Sequence, residues 1–278
     1  MKADLQLRIQ RYGWDRAAPH YETGWQEQLW PAQESLLAEI DPVPGETILD
    51  VSCGTGLVTI PLAKIVHPGG EVTGIDISEG MLGEAQSRAE GKGIQNVHFK
   101  HMDAAVLTLP DDSFDAVICS LGLMYYPNPA EAVGEMLRVL KPGGRAAVLV
   151  WGARNKCGWA EIFPIVDRRV QSEVCPLFFQ LGTGDALSQT LETAGYDDIA
   201  IHRFSSELHF RDDKQACVAA FQGGAVALAY QKFDERTREE VNQEYLESIR
   251  KYRNGNEYNV PGEFVIAKGI KSERSQRQ

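Results

Sequence analysis

ILDVSCGTG, residues 48–56, joins an apolar run that ends near an acidic residue to a turn rich in glycine. The apolar residues predict a buried parallel strand over residues 47–51. Gly54 and Gly56 let the backbone turn tightly where a ligand can approach it. Residues 57–65 then suit a helix that packs on a sheet. Strand, glycine turn and helix begin a doubly wound nucleotide-binding fold, in which ligands lie at the carboxyl ends of the strands.

Two further acidic residues follow predicted strands and narrow the choice of ligand. Asp76 directly follows the strand predicted over residues 71–75 and lies twenty positions after Gly56. A carboxylate there can accept hydrogen bonds from both hydroxyls of a ribose, in NAD as well as in S-adenosylmethionine. The strand predicted over residues 97–101 is soon followed by Asp103, which can accept a hydrogen bond from an exocyclic amine such as adenine N6.

The glycine turn favours one of these two ligands. A dinucleotide fingerprint needs a third glycine, which lets the helix pack closely while its N-terminus meets a pyrophosphate. Thr59 occupies that position in this chain. Acidic residues after three successive strands, without the third glycine, indicate an adenosyl ligand that has no diphosphate. An NAD-dependent oxidoreductase is therefore the weakest of the alternatives.

Five motifs stand in order along the first half of the chain. They are ILDVSCGTG at 48–56, GIDIS at 74–78 with Met81 and Leu82, Asp103 with Ala104, LPDDSFD at 109–115 and LKPGG at 140–144. In these motifs the chain resembles the class I S-adenosylmethionine-dependent methyltransferases. It is most similar to their small-molecule branch, the methyltransferase type 11 group that includes the ubiquinone and menaquinone C-methyltransferases. The chain departs from many of these relatives at Ser52, where they carry glycine.

The resemblance implies S-adenosylmethionine as the cofactor, S-adenosylhomocysteine as its product, and no metal. A sulfonium methyl group is already activated, so the protein mainly has to hold a nucleophile about 3 Å away and in line with the departing sulfur. Tyr21 is expected to close over the cofactor, and Ser120 to line the place where the methyl group emerges. The implied cofactor-binding residues are Tyr21, Asp50, Ser52, Gly54, Gly56, Asp76, Ile77, Met81, Asp103, Ala104 and Ser120.

The order of predicted elements, together with the resemblance, indicates an α/β fold. We expect a Rossmann-like, doubly wound sheet of seven mostly parallel strands, with an antiparallel last strand and helical cover insertions. The expected single domain covers residues 1–270 and is followed by a disordered tail at 271–278. Its parts are a helical lid at 1–45, a cofactor-binding core at 46–152, a helical cover with the sixth strand at 153–260, and the last strand at 261–270.

A general base is needed only if the methyl acceptor is a hydroxyl or a carbon acid. His20 is the candidate base, because histidine titrates near neutrality and this one lies in the predicted lid. A nitrogen or sulfur acceptor would need little help with its proton. We expect the acceptor to be a small, fairly apolar organic molecule, quinol-like or another small metabolite.

Composition limits the partners and the location. The chain has 278 residues, enough for one large domain, and its net charge of −11 repels phosphate backbones. We therefore expect no nucleic-acid partner. The N-terminus has no apolar run of the kind found in signal peptides, and no stretch suits a membrane span. The chain is predicted to be cytoplasmic, and a homodimer is left open.

Two other functions stay open besides catalysis on a small organic acceptor. One is a non-catalytic protein that binds S-adenosylmethionine. The other is an arsenic-type methyltransferase that would use Cys157 and Cys175 to hold the metalloid. The five cysteines form no C-x-x-C pair and no short metal-ligand spacing, which favours ordinary reduced thiols.

Overall fold

A central sheet organises the chain in the computed structural model, which describes residues 3–170 and 177–273. Five parallel strands form its first part: β1 (Thr47–Val51), β2 (Glu71–Asp76), β3 (Val97–His101), β4 (Phe114–Ser120) and β5 (Leu140–Trp151). The strands β6 (Asp197–Phe210), β7 (Arg253–Asn254) and β8 (Glu257–Ile270) complete it. The order is β3-β2-β1-β4-β5-β8-β6, and the two-residue β7 pairs with β8.

Burial explains why the central strands are continuous apolar runs. Ile48 and Leu49 of β1 and Ile118 of β4 are fully buried, since helices cover both faces of the sheet. β8 runs antiparallel to both β5 and β6. The predicted α/β fold, with a mostly parallel sheet and an antiparallel last strand, is confirmed.

Helices connect and cover the strands. α2 (Thr59–Val66), α3 (Glu79–Gly91) and α4 (Pro129–Val139) lie in the crossovers between parallel strands. After β5 come α5 (Ile162–Val170), α6 (Ala186–Ala194), α7 (Asp213–Cys217), α8 (Ala227–Gln231) and α9 (Glu235–Ile249). A π-helical turn, Val218–Gln222, follows α7. No helix of the described part of the chain is long and apolar enough to cross a membrane.

One long helix forms most of the segment predicted as a helical lid. α1 (Ala3–Ile40) has 38 residues and keeps Pro19 and Pro31 inside it. Trp25, Leu29 and Leu36 on this helix are buried. This packing compensates for the backbone hydrogen bonds that proline removes.

Two boundaries near the C-terminus differ from the predicted ones. β8 begins at Glu257 rather than at residue 261, because its first residues form a hairpin with β7 and its Tyr258 pairs with Phe210 of β6. Lys271, predicted to begin a disordered tail, is held in place. Its Nζ donates hydrogen bonds to Asp112 Oδ1 and to the Leu140 carbonyl, each at 2.7 Å. Residues 274–278 lie outside the described part of the chain.

Candidate active site

A cavity of about 600 Å³ lies at the carboxyl ends of β1, β2 and β4, under the first half of α1. We call it the strand-end cavity. Seven of the predicted cofactor residues line it: Tyr21, Ser52, Gly54, Asp76, Ile77, Met81 and Ser120. Leu7, Gln10 and Trp14 of α1 also line it, and the sequence analysis did not assign them. The predicted lid therefore lies over this cavity.

Asp76, the last residue of β2, connects the glycine turn to α3. Its Oδ2 accepts a hydrogen bond from the Gly54 amide, and its Oδ1 accepts one from the Ser78 amide, both at 2.9 Å. The residue is only 8% exposed, and this burial raises the pKa of its carboxyl group to about 6. Each carboxylate oxygen has a second lone pair that can accept a further hydrogen bond.

Asp50 lies behind the turn and is almost completely buried. Thr59 Oγ1 donates a hydrogen bond to Asp50 Oδ2 at 2.6 Å, whereas Asp50 Oδ1 has no partner in the described part of the chain. Burial, with a smaller contribution from the charge of Asp76, raises the pKa of this carboxyl group to about 7. Thr59, at the position where a dinucleotide fingerprint has its third glycine, therefore orients the Asp50 carboxyl group.

Ser52 stands where many relatives of this type carry glycine, and its backbone shows why glycine suits the position. Its φ is +57°, in the left-handed region that L-residues with a side chain seldom adopt. The Ser52 hydroxyl lies 2.8 Å from the Tyr126 hydroxyl in a hydrogen bond. A Cβ on Gly122 would clash with Ser52, so the serine also requires glycine at 122.

The lid helix is fastened to α3 through polar contacts. Asp15 Oδ1 accepts hydrogen bonds from Ser78 Oγ at 2.7 Å and from the Gly80 amide at 3.1 Å. Arg88 of α3 forms a 2.7 Å ion pair with Glu22. We call Asp15 and Glu22 the lid latch. No local sequence pattern indicates either residue, since their partners lie more than sixty positions away in the chain.

Four predicted cofactor residues do not line the strand-end cavity. Gly56 has a φ of +76° and packs against Ala85, so it contributes to the backbone conformation of the turn and not to the cavity wall. Asp50 lies behind the turn and is almost completely buried. Asp103 is partly exposed, and its Oδ1 accepts the Ala105 amide at 2.9 Å within a local turn. Ala104 is buried in the hydrophobic core. The prediction that Asp103 and Ala104 contact the adenine of the cofactor stays a prediction.

His20 does not lie with the other predicted site residues. It is exposed and lines a separate cavity with Phe221, Tyr230 and Arg238. The adjacent Tyr21 lines the strand-end cavity instead, because successive helical residues point in directions about 100° apart. The structure thus gives no support to His20 as the general base. Burial and the nearby charge of Asp76 raise the pKa of Tyr21, so its hydroxyl stays protonated.

A second cavity of about 400 Å³ adjoins the first. Trp14, Tyr21, Leu121 and Tyr125 line both cavities. Seven aromatic side chains line the second one: Trp14, Tyr21, Trp25, Tyr125, Trp151, Trp159 and Phe178. Among the residues that line it in the described part of the chain, none is an Asp, Glu, Lys, Arg or His. We call this cavity the aromatic chamber.

Cys157, one of the two cysteines of the metalloid alternative, lines neither cavity. Cys157 is buried, its Sγ donates to the Glu263 carbonyl at 3.8 Å, and burial raises its pKa to about 12. A thiol that stays protonated is a weak ligand. Cys175 lies outside the described residues. Within residues 3–170 and 177–273, no group of three or more His, Cys, Asp or Glu side chains could hold a metal ion.

The strand order, the glycine turn and the buried acid at the end of β2 define the class I methyltransferase fold. Residues 48–144 match the family model of a methyltransferase domain. Over 194 residues the chain is 32% identical to the demethylmenaquinone methyltransferase of Staphylococcus haemolyticus, an alignment that covers 65% of this chain and 80% of that enzyme. The chain belongs to the class I S-adenosylmethionine-dependent methyltransferases.

Other relatives align over shorter stretches or share the fold alone. The demethylmenaquinone methyltransferase of Listeria welshimeri is 40% identical over 119 residues, which cover 43% of this chain and half of that enzyme. Phosphoethanolamine N-methyltransferase 2 of Haemonchus contortus, solved with S-adenosyl-L-methionine, has a TM-score of 0.62 at 17% identity, covering 93% of this chain and 57% of its own. The cyclase SpnF has a TM-score of 0.59 at 22% identity, covering 90% and 83% of the two chains.

Proposed function

We propose that this protein transfers a methyl group from S-adenosylmethionine to a small, apolar, quinol-like aromatic acceptor. One observation carries the proposal: the strand-end cavity, with its buried acids, adjoins an aromatic chamber through shared walls. The two cavities would hold a polar methyl donor and an apolar acceptor side by side. The relatives named as demethylmenaquinone methyltransferases support a quinol-like acceptor.

The polar atoms around the strand-end cavity fit the proposed cofactor. Ser120 Oγ, in the wall of this cavity, is buried and has no hydrogen-bond partner among the described residues, an arrangement that a polar ligand can complete. Asp76 has free lone pairs for the two hydroxyls of a ribose. Bound S-adenosylmethionine would supply a methyl group that its sulfonium already activates. The negative charge of Asp76, in the cavity wall, would balance the positive charge of such a ligand.

The aromatic chamber fits a flat, uncharged acceptor. Aromatic side chains bind flat rings in offset and edge-to-face arrangements, and seven of them line this chamber. The described lining residues offer a charged ligand the faces of aromatic rings but no oppositely charged side chain. Tyr21 stands at the junction and stays protonated, so it can donate a hydrogen bond to an acceptor oxygen but does not serve as a base.

A methyl-transfer assay tests the proposal. The purified protein is incubated with labelled S-adenosylmethionine and either a reduced naphthoquinol or phosphoethanolamine, and products are identified by mass spectrometry. We expect methylated naphthoquinol and no methylated phosphoethanolamine, with heat-denatured protein as the control. Tight cofactor binding without transfer to any quinol would favour the non-catalytic alternative. A cytoplasmic location, a homodimer and the lack of a nucleic-acid partner stay predictions.

A further inference from the structure

Trp159 forms part of the wall of the aromatic chamber and is held firmly by other rings. It is 3% exposed. Its ring centroid lies 4.7 Å from that of Trp151, 6.0 Å from that of Trp25 and 5.6 Å from that of Phe178. These contacts surround the indole on several sides. Because the interior is close-packed, the ring cannot reorient freely to satisfy its polar atom elsewhere.

The Trp159 indole N–H is buried and has no hydrogen-bond partner among residues 3–170 and 177–273. Trp25, in the same chamber wall and 6% exposed, shows the usual arrangement, since its Nε1 donates to the Ala219 carbonyl at 3.0 Å. A buried tryptophan normally finds a partner for its N–H, and leaving the donor unpaired is unfavourable. The unpaired donor of Trp159 therefore adds a polar atom to a chamber whose other hydroxyl groups belong to Tyr21 and Tyr125.

We propose that Trp159 determines acceptor specificity by donating its indole N–H to an oxygen atom of a neutral aromatic acceptor. This inference rests on the proposed function, since it assigns the acceptor to the aromatic chamber. An indole N–H is a donor only, so its partner must carry an available lone pair. A carbonyl, phenol or phenolate oxygen has one. A hydrocarbon ring and a protonated amine do not, and either would leave the donor buried and unpaired.

Paired ligands that differ in one oxygen test the assignment. The bicyclic probes 1-tetralone and tetralin share a carbon skeleton, and only 1-tetralone carries a carbonyl oxygen. Their affinities for the full chain saturated with S-adenosylhomocysteine are measured by calorimetry. We expect the wild-type protein to bind 1-tetralone about tenfold more tightly, the effect of one well-formed buried hydrogen bond. The variant Trp159→Phe should reduce this preference to less than about threefold.

Trp151→Phe is the matched control, because it also shrinks an indole of the same chamber. It should weaken both probes by a similar factor and preserve the preference for 1-tetralone. The proposal is overturned if Trp159→Phe keeps the full preference, if wild type shows no preference, or if neither probe binds. Binding of S-adenosylhomocysteine is measured first in the same experiment. Its failure would refute the proposed function, whereas normal binding with an unchanged probe preference would refute only the role of Trp159.

Discussion

The two adjoining cavities are built in different ways. The strand-end cavity depends on short segments that each follow a strand: the glycine turn after β1, Asp76 at the end of β2 and Ser120 at the end of β4. The aromatic chamber depends on side chains from α1, β5 and the cover, brought together by packing alone. Backbone geometry fixes the first cavity, and side-chain contacts between distant segments fix the second.

This difference has a functional meaning. A cavity made from turns and strand ends changes little when side chains elsewhere change, which suits a ligand common to many enzymes. A chamber made from packed rings can be reshaped by single substitutions, which suits a variable acceptor. The phosphoethanolamine methyltransferase and the cyclase SpnF share the fold at low identity, so the fold itself does not define the acceptor.

The largest expected effect is on cofactor affinity when the acid of the strand-end cavity is removed. Asp76→Ala should weaken binding of S-adenosylmethionine at least about a hundredfold, because several hydrogen bonds to a charged group are lost together. Asp103→Ala is the control, and we expect a change below about threefold because Asp103 does not line this cavity. Calorimetry measures both. Equal losses in the two variants would show that Asp103 does contact the cofactor.

The raised pKa values of Asp50, about 7, and Asp76, about 6, predict a dependence of binding on pH. The ionised carboxylates attract a cationic ligand, Asp76 from the cavity wall and Asp50 from behind the turn, so the affinity should fall by up to about tenfold for each pH unit below these pKa values. The measurement is calorimetric titration with S-adenosylmethionine between pH 5 and pH 8. This range extends about one pH unit below the lower pKa and about one unit above the higher pKa. A flat profile would contradict the assignment of these acids as partners of a cation.

The same shifts predict how the ligand-free protein responds to pH. The Asp50 carboxyl group has a higher pKa in the folded protein, about 7, than its ordinary value of 3.8. Between these values the folded state binds more protons than the unfolded state, so the free energy of unfolding should decrease as pH rises. Asp50→Asn should flatten this slope. Thermal unfolding at several pH values measures both proteins, and identical slopes would exclude Asp50 as the cause.

A smaller effect is expected at Asp15 of the lid latch, which joins α1 to the start of α3. Asp15→Ala leaves Ser78 Oγ and the Gly80 amide without their acceptor, and should lower the free energy of unfolding by about 1–2 kcal/mol. It should also weaken cofactor binding by about threefold to tenfold, since Trp14 next to it lines both cavities.

Asp15→Asn is the matched control for the latch, because its amide oxygen can still accept both hydrogen bonds. It should keep most of the stability and affinity. Urea unfolding and calorimetry measure the two variants together. If Asn and Ala are equally damaging, the charge of Asp15 and not its hydrogen bonds fastens the lid.

The sequence predicted the strand-end cavity well because its residues belong to local patterns. Asp76 and Gly54 lie at fixed distances from predicted strands, and the structure brings both to the cavity. No local sequence pattern predicts the aromatic chamber, because its lining residues come from distant segments of the chain. Trp159 meets Trp25 only after α1 packs against the sheet, a contact between positions 134 apart. His20 and Tyr21 show a further difficulty, since a shift of one residue on a helix selects a different cavity.

The smallest expected effect concerns Ser52, where backbone strain and a hydrogen bond make opposite contributions to the free energy of unfolding. Ser52→Gly relieves the left-handed backbone, worth about 1 kcal/mol, but loses the hydrogen bond to Tyr126, worth about as much. Stability and cofactor affinity should therefore stay close to wild type. Ser52→Ala keeps the strain and loses the bond, so it should unfold about 1 kcal/mol more easily than Ser52→Gly. Urea unfolding separates the three proteins, and an alanine variant as stable as the glycine variant would mean that the φ of +57° carries no strain.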